Sequence, residues 1–305
     1  MTTTPDDIPE YAMPEPEEFS WKGPDGLTLG GRQWLPAQNV QQASCPPIPV
    51  VCLPGLSRNT RDFSDIARYL QAAGHSVTAL DYRGRGLSEW DPDWRNYALP
   101  VEETDIAAAI EYLGLERFAL LGTSRGGLHA LSMANRYPAN RMAAVILNDI
   151  GPHIEMSGLL RIAATLGRKM EYSSFDELAT GFRKTLGAQF PSFSQPDWKK
   201  FAGQLASSRA GKVVLDFDPA LACQLAALDN TTPAPDLWPL FEKLTDRPLL
   251  ILRGAHSDLL SEETCKRMLE MHPAARYKII PGQGHAPVLW EEDTQRAIAE
   301  FLQSL

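Results

Sequence analysis

Three side chains far apart in the chain have the types needed for nucleophilic catalysis. The first is Ser124, in Gly122-Thr123-Ser124-Arg125-Gly126. This Gly-x-Ser-x-Gly pattern lies between an apolar run, Arg117 to Leu121, and a helical pattern with Leu128, Leu131 and Ala134 on one side. Strand, sharp turn and helix is the context in which the pattern exposes a serine hydroxyl. The glycines let the backbone fold back, and the new helix aims free N–H groups and its positive end at the same point. Serine is a poor nucleophile at neutral pH. It needs an imidazole to take its proton, and the imidazole needs a carboxylate to fix its tautomer and stabilise its charged form. His285, in Pro281-Gly282-Gln283-Gly284-His285, supplies the imidazole. Asp258, in Arg253-Gly254-Ala255-His256-Ser257-Asp258, is the preferred carboxylate.

The other readings are structural. His285 could be a satisfied loop histidine, and Asp258 could simply sit near the helix opening at Ser261. Asp149, in Asn148-Asp149-Ile150-Gly151-Pro152, also follows a strand and is the alternative acid. Asp258 is preferred because its strand is the one next before that of His285, and Ser, Asp, His is the order associated with the serine elbow. His256 reads as a loop residue. An acyl-transfer site also needs two backbone donors for an oxyanion. The N–H of Arg125 is one, and Leu56, in Leu53-Pro54-Gly55-Leu56, is the other, since Pro54 has no N–H to give. For the Arg125 side chain, a structural ion pair with Asp149 or Asp81 is preferred over a substrate carboxylate. Arg58 carries the same two readings.

These residues must be brought together by the elements before them. Short apolar runs at Ile48 to Leu53, Val77 to Leu80, Arg117 to Leu121, Ala144 to Leu147 and Pro248 to Leu252, and a further strand from Arg276 to Ile280, alternate with helical patterns. Buried apolar strands alternating with amphipathic helices predict an α/β fold, a mostly parallel sheet with helices on both faces. Loops at the carboxyl ends of such strands share one edge, where Ser124, Asp258 and His285 can meet. Before this core, Phe19 to Trp21 and Leu27 to Leu29 flank Gly23-Pro24-Asp25-Gly26, a hairpin signature. Residues 1–18, rich in Pro, Asp, Glu and Thr, read as a flexible arm. The β/α rhythm stops between residues 153 and 241, where helical patterns rich in Phe, Trp and Leu predict an all-helical insertion. Residues 19–152 and 242–305 then form the core domain. The turn Asp81-Tyr82-Arg83-Gly84-Arg85-Gly86 lacks the Gly-Lys-Ser/Thr ending of a phosphate loop and is not read as a nucleotide site.

Composition narrows the function. The chain has 305 residues, 44% of them hydrophobic, and a formal net charge of −9. That size needs no metal or disulfide staple, and the acidic balance argues against nucleic acid. No segment has the length of a membrane span or the layout of a signal peptide. The four cysteines, Cys45, Cys52, Cys223 and Cys265, show no metal-ligand spacing. The expectation is a cytoplasmic protein with reduced thiols, no cofactor and no metal, acting on a small molecule. Whether it is a monomer or a homodimer is not legible.

Taken together, Leu53-Pro54-Gly55-Leu56, the Asp81 to Gly86 turn, Gly122 to Gly126, Asn148 to Pro152, Ser257-Asp258 and Gly284-His285 resemble the α/β-hydrolase fold superfamily, in its capped serine hydrolase form. The resemblance covers nearly everything after the N-terminal arm and implies a helical cap over the serine. Two departures stand out. Leu-Pro-Gly replaces the His-Gly often found at the oxyanion strand, and the elbow carries serine where haloalkane dehalogenases carry aspartate. The expected reaction is hydrolysis of a small to medium, largely apolar carboxylic ester through an acyl-enzyme. The alternatives are C–C hydrolysis of ring-fission dienoates, and lactonase, amidase or perhydrolase activity. C–C hydrolases of this type often carry a tryptophan close behind the histidine; here Ala286-Pro287-Val288-Leu289 intervenes before Trp290. A non-catalytic ligand receptor is the alternative from another class.

Overall fold

The computed structural model describes residues 14–36, 47–229, 231 and 235–305. Cys45 and the first thirteen residues of the expected arm lie outside them. The expected boundary at residue 18 is corrected, because Glu17 and Glu18 already belong to the first strand, β1 (Glu17–Lys22), which pairs antiparallel with β2 (Thr28–Trp34). The core then alternates as expected: β3 (Val50–Leu53), α1 (Ser64–Ala72), β4 (Val77–Leu80), α2 (Leu99–Tyr112), β5 (Phe118–Thr123), α3 (Arg125–Met133) and β6 (Met142–Asn148). After the insertion come α7 (Trp238–Glu242), β10 (Leu249–Gly254), α8 (Glu262–Met271), β11 (Arg276–Ile280) and α9 (Glu292–Gln303).

One eight-stranded sheet runs in the order β1-β2-β4-β3-β5-β6-β10-β11. From β4 to β11 every neighbouring pair is parallel. Its central strands β3, β5, β6 and β10 are buried along their whole length, which is why each reads as an unbroken apolar run. One face packs against Ile106, Leu131, Phe241 and Met268, from α2, α3, α7 and α8. The other packs against Ile66, Leu70, Ile298 and Phe301, from α1 and α9. Such two-sided burial leaves the carboxyl-end loops as the free edge. No helix of the described residues is long and apolar enough to cross a membrane. Among those residues Cys52, Cys223 and Cys265 are free thiols, and no group of His, Cys, Asp or Glu could hold a metal ion.

The insertion is not all helical. Helices α4 (Met156–Thr165), α5 (Phe175–Leu186) and α6 (Gln195–Leu205) are joined by a three-stranded antiparallel sheet of β7 (Glu171–Tyr172), β8 (Ala206–Arg209) and β9 (Lys212–Leu215). The cause is local. Ala210 and Gly211 both have positive φ, 49° and 78°, the two-residue turn whose twist suits a hairpin, and Val213-Val214 follows it with β-branched side chains. The insertion has its own apolar cluster, centred on Phe190, Trp198, Phe201 and Phe217. Its far end returns to the core early: Phe241 of α7, wholly buried, belongs to the core cluster.

Candidate active site

Ser124 sits between β5 and α3 with φ 51° and ψ −112°, a conformation that few non-glycine residues adopt. The turn is tight enough to exclude side chains at its flanks. A Cβ on Gly122 would lie 2.3 Å from the Gly126 carbonyl oxygen, and one on Gly126 would lie 2.0 Å from that of Leu53. The Ser124 N–H donates to Asn148 O at 3.0 Å, and the Gly127 N–H donates back to Ser124 O at 2.8 Å. These bonds fix the elbow on the end of β6.

His285 Nε2 lies 2.8 Å from Ser124 Oγ. Its other ring nitrogen, Nδ1, lies 2.8 Å from Asp149 Oδ2 and not on Asp258. The preference for Asp258 is therefore corrected in geometry. Asp149 is fully buried at positive φ, 58°, immediately after β6. Its carboxylate also accepts from the Gly254 N–H at 2.8 Å and from Ser257 Oγ at 2.7 Å. Asp258 instead pairs in bidentate fashion with Arg161 of α4, at 2.6 and 2.9 Å. Burial pushes the Asp258 pKa up, but the Arg161 hydrogen bond and charge, with a smaller contribution from the charge of His285, hold it below the usual aspartate value. The histidine loop is fixed by two residues that the sequence reading did not single out. Gln189 of the insertion accepts from the His285 N–H at 2.8 Å, and Asn148 donates to Pro287 O at 2.9 Å.

The backbone N–H groups of Leu56 and Arg125 have no hydrogen-bond partner among the described residues. Both residues flank the serine: Arg125 follows it in the chain, and Leu56 lines the same cavity as Ser124. The Arg125 side chain pairs with Glu102, Nε to Oε2 at 2.6 Å, rather than with Asp149 or Asp81. Arg58 pairs with Asp62 at 2.5 and 2.7 Å, and its guanidinium lies 4.4 Å from the Phe201 ring centre. In the Gly/Arg-rich turn both arginines point inward. Arg83 is bidentate with Asp105 at 2.7 and 2.8 Å, and Arg85 meets Glu102 at 2.7 Å.

Above the serine and histidine lies a cavity of about 600 Å³. The core contributes Gly55, Leu56, Ser124 and His285 to its wall; the insertion contributes Phe182, Phe190, Phe201 and Phe217. An apolar wall with a few convergent polar groups suits a small organic molecule. Arg161, Arg168 and Lys169 also line it, Arg161 paired with Asp258 and Lys169 with Glu177, at 2.6 Å in each case.

Comparison with known proteins agrees with this architecture. A family model described as alpha/beta hydrolase fold matches residues 48–292. A protein of Cupriavidus necator named 3-hydroxybutyrate-oligomer hydrolase is 32% identical over 257 residues, 82% of this chain and 86% of that protein. A 2-(acetamidomethylene)succinate hydrolase of Mesorhizobium japonicum is 24% identical over 269 residues, 87% of this chain and 91% of that protein. The crystal structure of an alpha/beta hydrolase from Novosphingobium aromaticivorans superposes with a TM-score of 0.87 at 35% identity, covering 96% of this chain and 100% of that one.

Proposed function

Since the chain belongs to the α/β-hydrolase fold family, and so to a family of hydrolases, we propose that it cleaves carboxylic esters through an acyl-enzyme on Ser124, with His285 as base and Asp149 as its orienting acid. The observation that carries this reading is the run from Ser124 Oγ to His285 Nε2 and, across the ring, from His285 Nδ1 to Asp149 Oδ2, two hydrogen bonds of 2.8 Å each, with Ser124 and His285 lining the cavity. In this mechanism Ser124 Oγ attacks the ester carbonyl carbon while its proton passes to His285 Nε2. The Leu56 and Arg125 N–H groups receive the oxyanion. Collapse expels the alkoxide, which takes the proton from His285. Water, deprotonated by the same imidazole, then releases the acid. Asp149 orients the imidazole and stabilises the imidazolium.

For substrate, the reading is a short ester-linked hydroxy acid, as the name of the Cupriavidus relative suggests. The apolar wall fits alkyl segments. Arg168, whose side chain has no acid partner among the described residues, suits a free terminal carboxylate in a chain that is acidic overall. The test is a series of p-nitrophenyl esters of graded chain length, together with 3-hydroxybutyrate oligomers and a ring-fission dienoate. Ester turnover with an acyl burst and phosphonate labelling confined to Ser124 is expected. Cleavage of the dienoate alone would move the reading to C–C hydrolysis, and binding without turnover would move it to a receptor.

A further inference from the structure

The proposed oxyanion donors are backbone groups, so something else must fix their spacing. One is on Leu56, in the loop after β3; the other is on Arg125, at the start of α3. No strand pairing or helix joins these two residues directly. A set of buried side chains does. Arg85 Nε donates to the Leu56 carbonyl oxygen at 2.8 Å, and its Nη1 donates to Glu102 Oε1 at 2.7 Å. Arg125 Nε donates to the other oxygen of the same carboxylate, Oε2, at 2.6 Å, and its Nη2 donates to Tyr97 O at 2.5 Å. His129 Nε2, from the next turn of α3, also meets Oε2, at 3.0 Å.

We propose that Glu102 is a positioning residue for the oxyanion site, its two carboxylate oxygens setting the distance between the Leu56 and Arg125 N–H groups through Arg85 and Arg125. The proposal rests on the ester hydrolase reading above. Three observations carry it. Glu102 and Arg85 are fully buried, so neither geometry is averaged by water. Each guanidinium is planar with donors in a fixed fork, which turns a carboxylate contact into an orientation. Each guanidinium is also tied to backbone by a second nitrogen: Arg85 Nε holds Leu56 O, with Nη1 shared between Glu102 and Arg83 O at 2.6 Å, and Arg125 Nη2 holds Tyr97 O. Burial opposes the charge on Glu102, yet the charges of Arg85 and Arg125 hold its carboxyl well below the usual range, so it is ionised across the working pH. Replacing buried ion clusters by apolar groups is often neutral or stabilising, so a cluster of this kind is weak evidence of a purely structural role. A shift of a few tenths of an ångström between two N–H groups is felt only by the tetrahedral species that needs both.

The test uses the full chain and p-nitrophenyl butyrate. Glu102→Gln keeps the shape but cannot accept from both guanidinium groups as a carboxylate does. Its kcat should fall by about 10- to 100-fold with KM within about twofold of the parent. Affinity for an alkyl boronate, which forms the tetrahedral adduct on Ser124, should fall by the same factor. Arg85→Lys, which keeps the charge and loses the fork, should fall on the same line of kcat against boronate affinity. That correlation separates positioning from mere loss of stability, which would lower the active fraction and leave boronate affinity unchanged. Folded variants with parental kcat and boronate affinity would overturn the proposal, and so would the failure of both variants to fold, which would make the cluster a scaffold. The ester hydrolase reading fails separately, if the parent chain itself shows neither turnover nor labelling of Ser124; the proposal then falls with it.

Discussion

The loops after β6 and β10 leave the same edge of the sheet, and each carries an aspartate, but the two are held by different parts of the molecule. Asp149 is held by the core. Positive φ turns the chain immediately after β6, and the Gly254 N–H, Ser257 Oγ and His285 Nδ1 converge on its carboxylate. Asp258 is held by the insertion. Arg161 grips its carboxylate, Ser157 Oγ donates to its carbonyl oxygen at 3.3 Å, and a Cβ on Gly158 would lie 2.6 Å from that same oxygen. The α4 backbone is thus seated on Asp258. The difference shows that standing after a parallel strand makes an acid available to the histidine but does not select it. Selection follows from which rigid donors fix the carboxylate's orientation.

Ester hydrolysis measures that difference, starting from the floor. Ser124→Ala should lose phosphonate labelling and lower kcat by about six orders of magnitude, since the nucleophile and its base act as a unit. Retained labelling at another serine would place the chemistry elsewhere. Asp149→Asn should lower kcat by about 10³–10⁴. Asp258→Asn, measured alongside it, should change kcat by less than about tenfold, because its carboxylate serves Arg161. The reverse ranking would dissolve the contrast between the two loops and restore Asp258 as the acid. A smaller effect is expected where the insertion touches the histidine loop. Gln189→Ala removes the acceptor of the His285 N–H; a bond of about 0.5–1.5 kcal/mol, felt in the transition state, corresponds to roughly 2- to 10-fold in kcat. Parental kcat in that variant would show that the core alone orients His285.

How far the sequence could be read follows the same division. The elbow was legible because its glycines recur at fixed spacing around the serine: a side chain at Gly122 would clash with Gly126 within the turn, and one at Gly126 with Leu53 of β3. The strands were legible because burial on both faces leaves an apolar run, as in Phe118 to Leu121 of β5 and Leu249 to Leu252 of β10. The choice between Asp149 and Asp258 was not, since it depends on Gly254, Ser257 and Arg161, which only the folded chain brings to them. One signal was available. Arg161 interrupts the apolar pattern of α4 and needed a carboxylate partner. Glu102 was missed for a related reason. It shares the buried face of α2 with Asp105, Ile106 and Ile110, an anomaly that called for cations, and Arg83 and Arg85 were the nearest unassigned ones. The hairpin of the insertion was hidden because four-residue strands are outweighed by the helices around them.

The smallest expected effect concerns stability and sharpens the contrast without any substrate. The Asp258 carboxyl is held below its ordinary value of 3.8 in the fold: burial works against this, and Arg161 prevails. The unfolded chain therefore takes up a proton there more readily than the folded one. The stabilisation is fully present above the unfolded pKa, about 3.9, and is lost as pH falls through the folded value. Both side chains are about a quarter exposed, 25% for Arg161 and 27% for Asp258, so the pair is worth only about 0.5–1 kcal/mol. Denaturant unfolding of the parent and of Asp258→Asn should then differ by about that amount from pH 5 to pH 7, and the gap should narrow below about pH 4. In an Arg161→Met background the narrowing should shrink or reverse, because only the charge of His285 then opposes the effect of burial. A gap that stays constant down to pH 3 would mean that Asp258 acts through its shape and hydrogen bonds alone, and that its ion pair does not tie the insertion to the core.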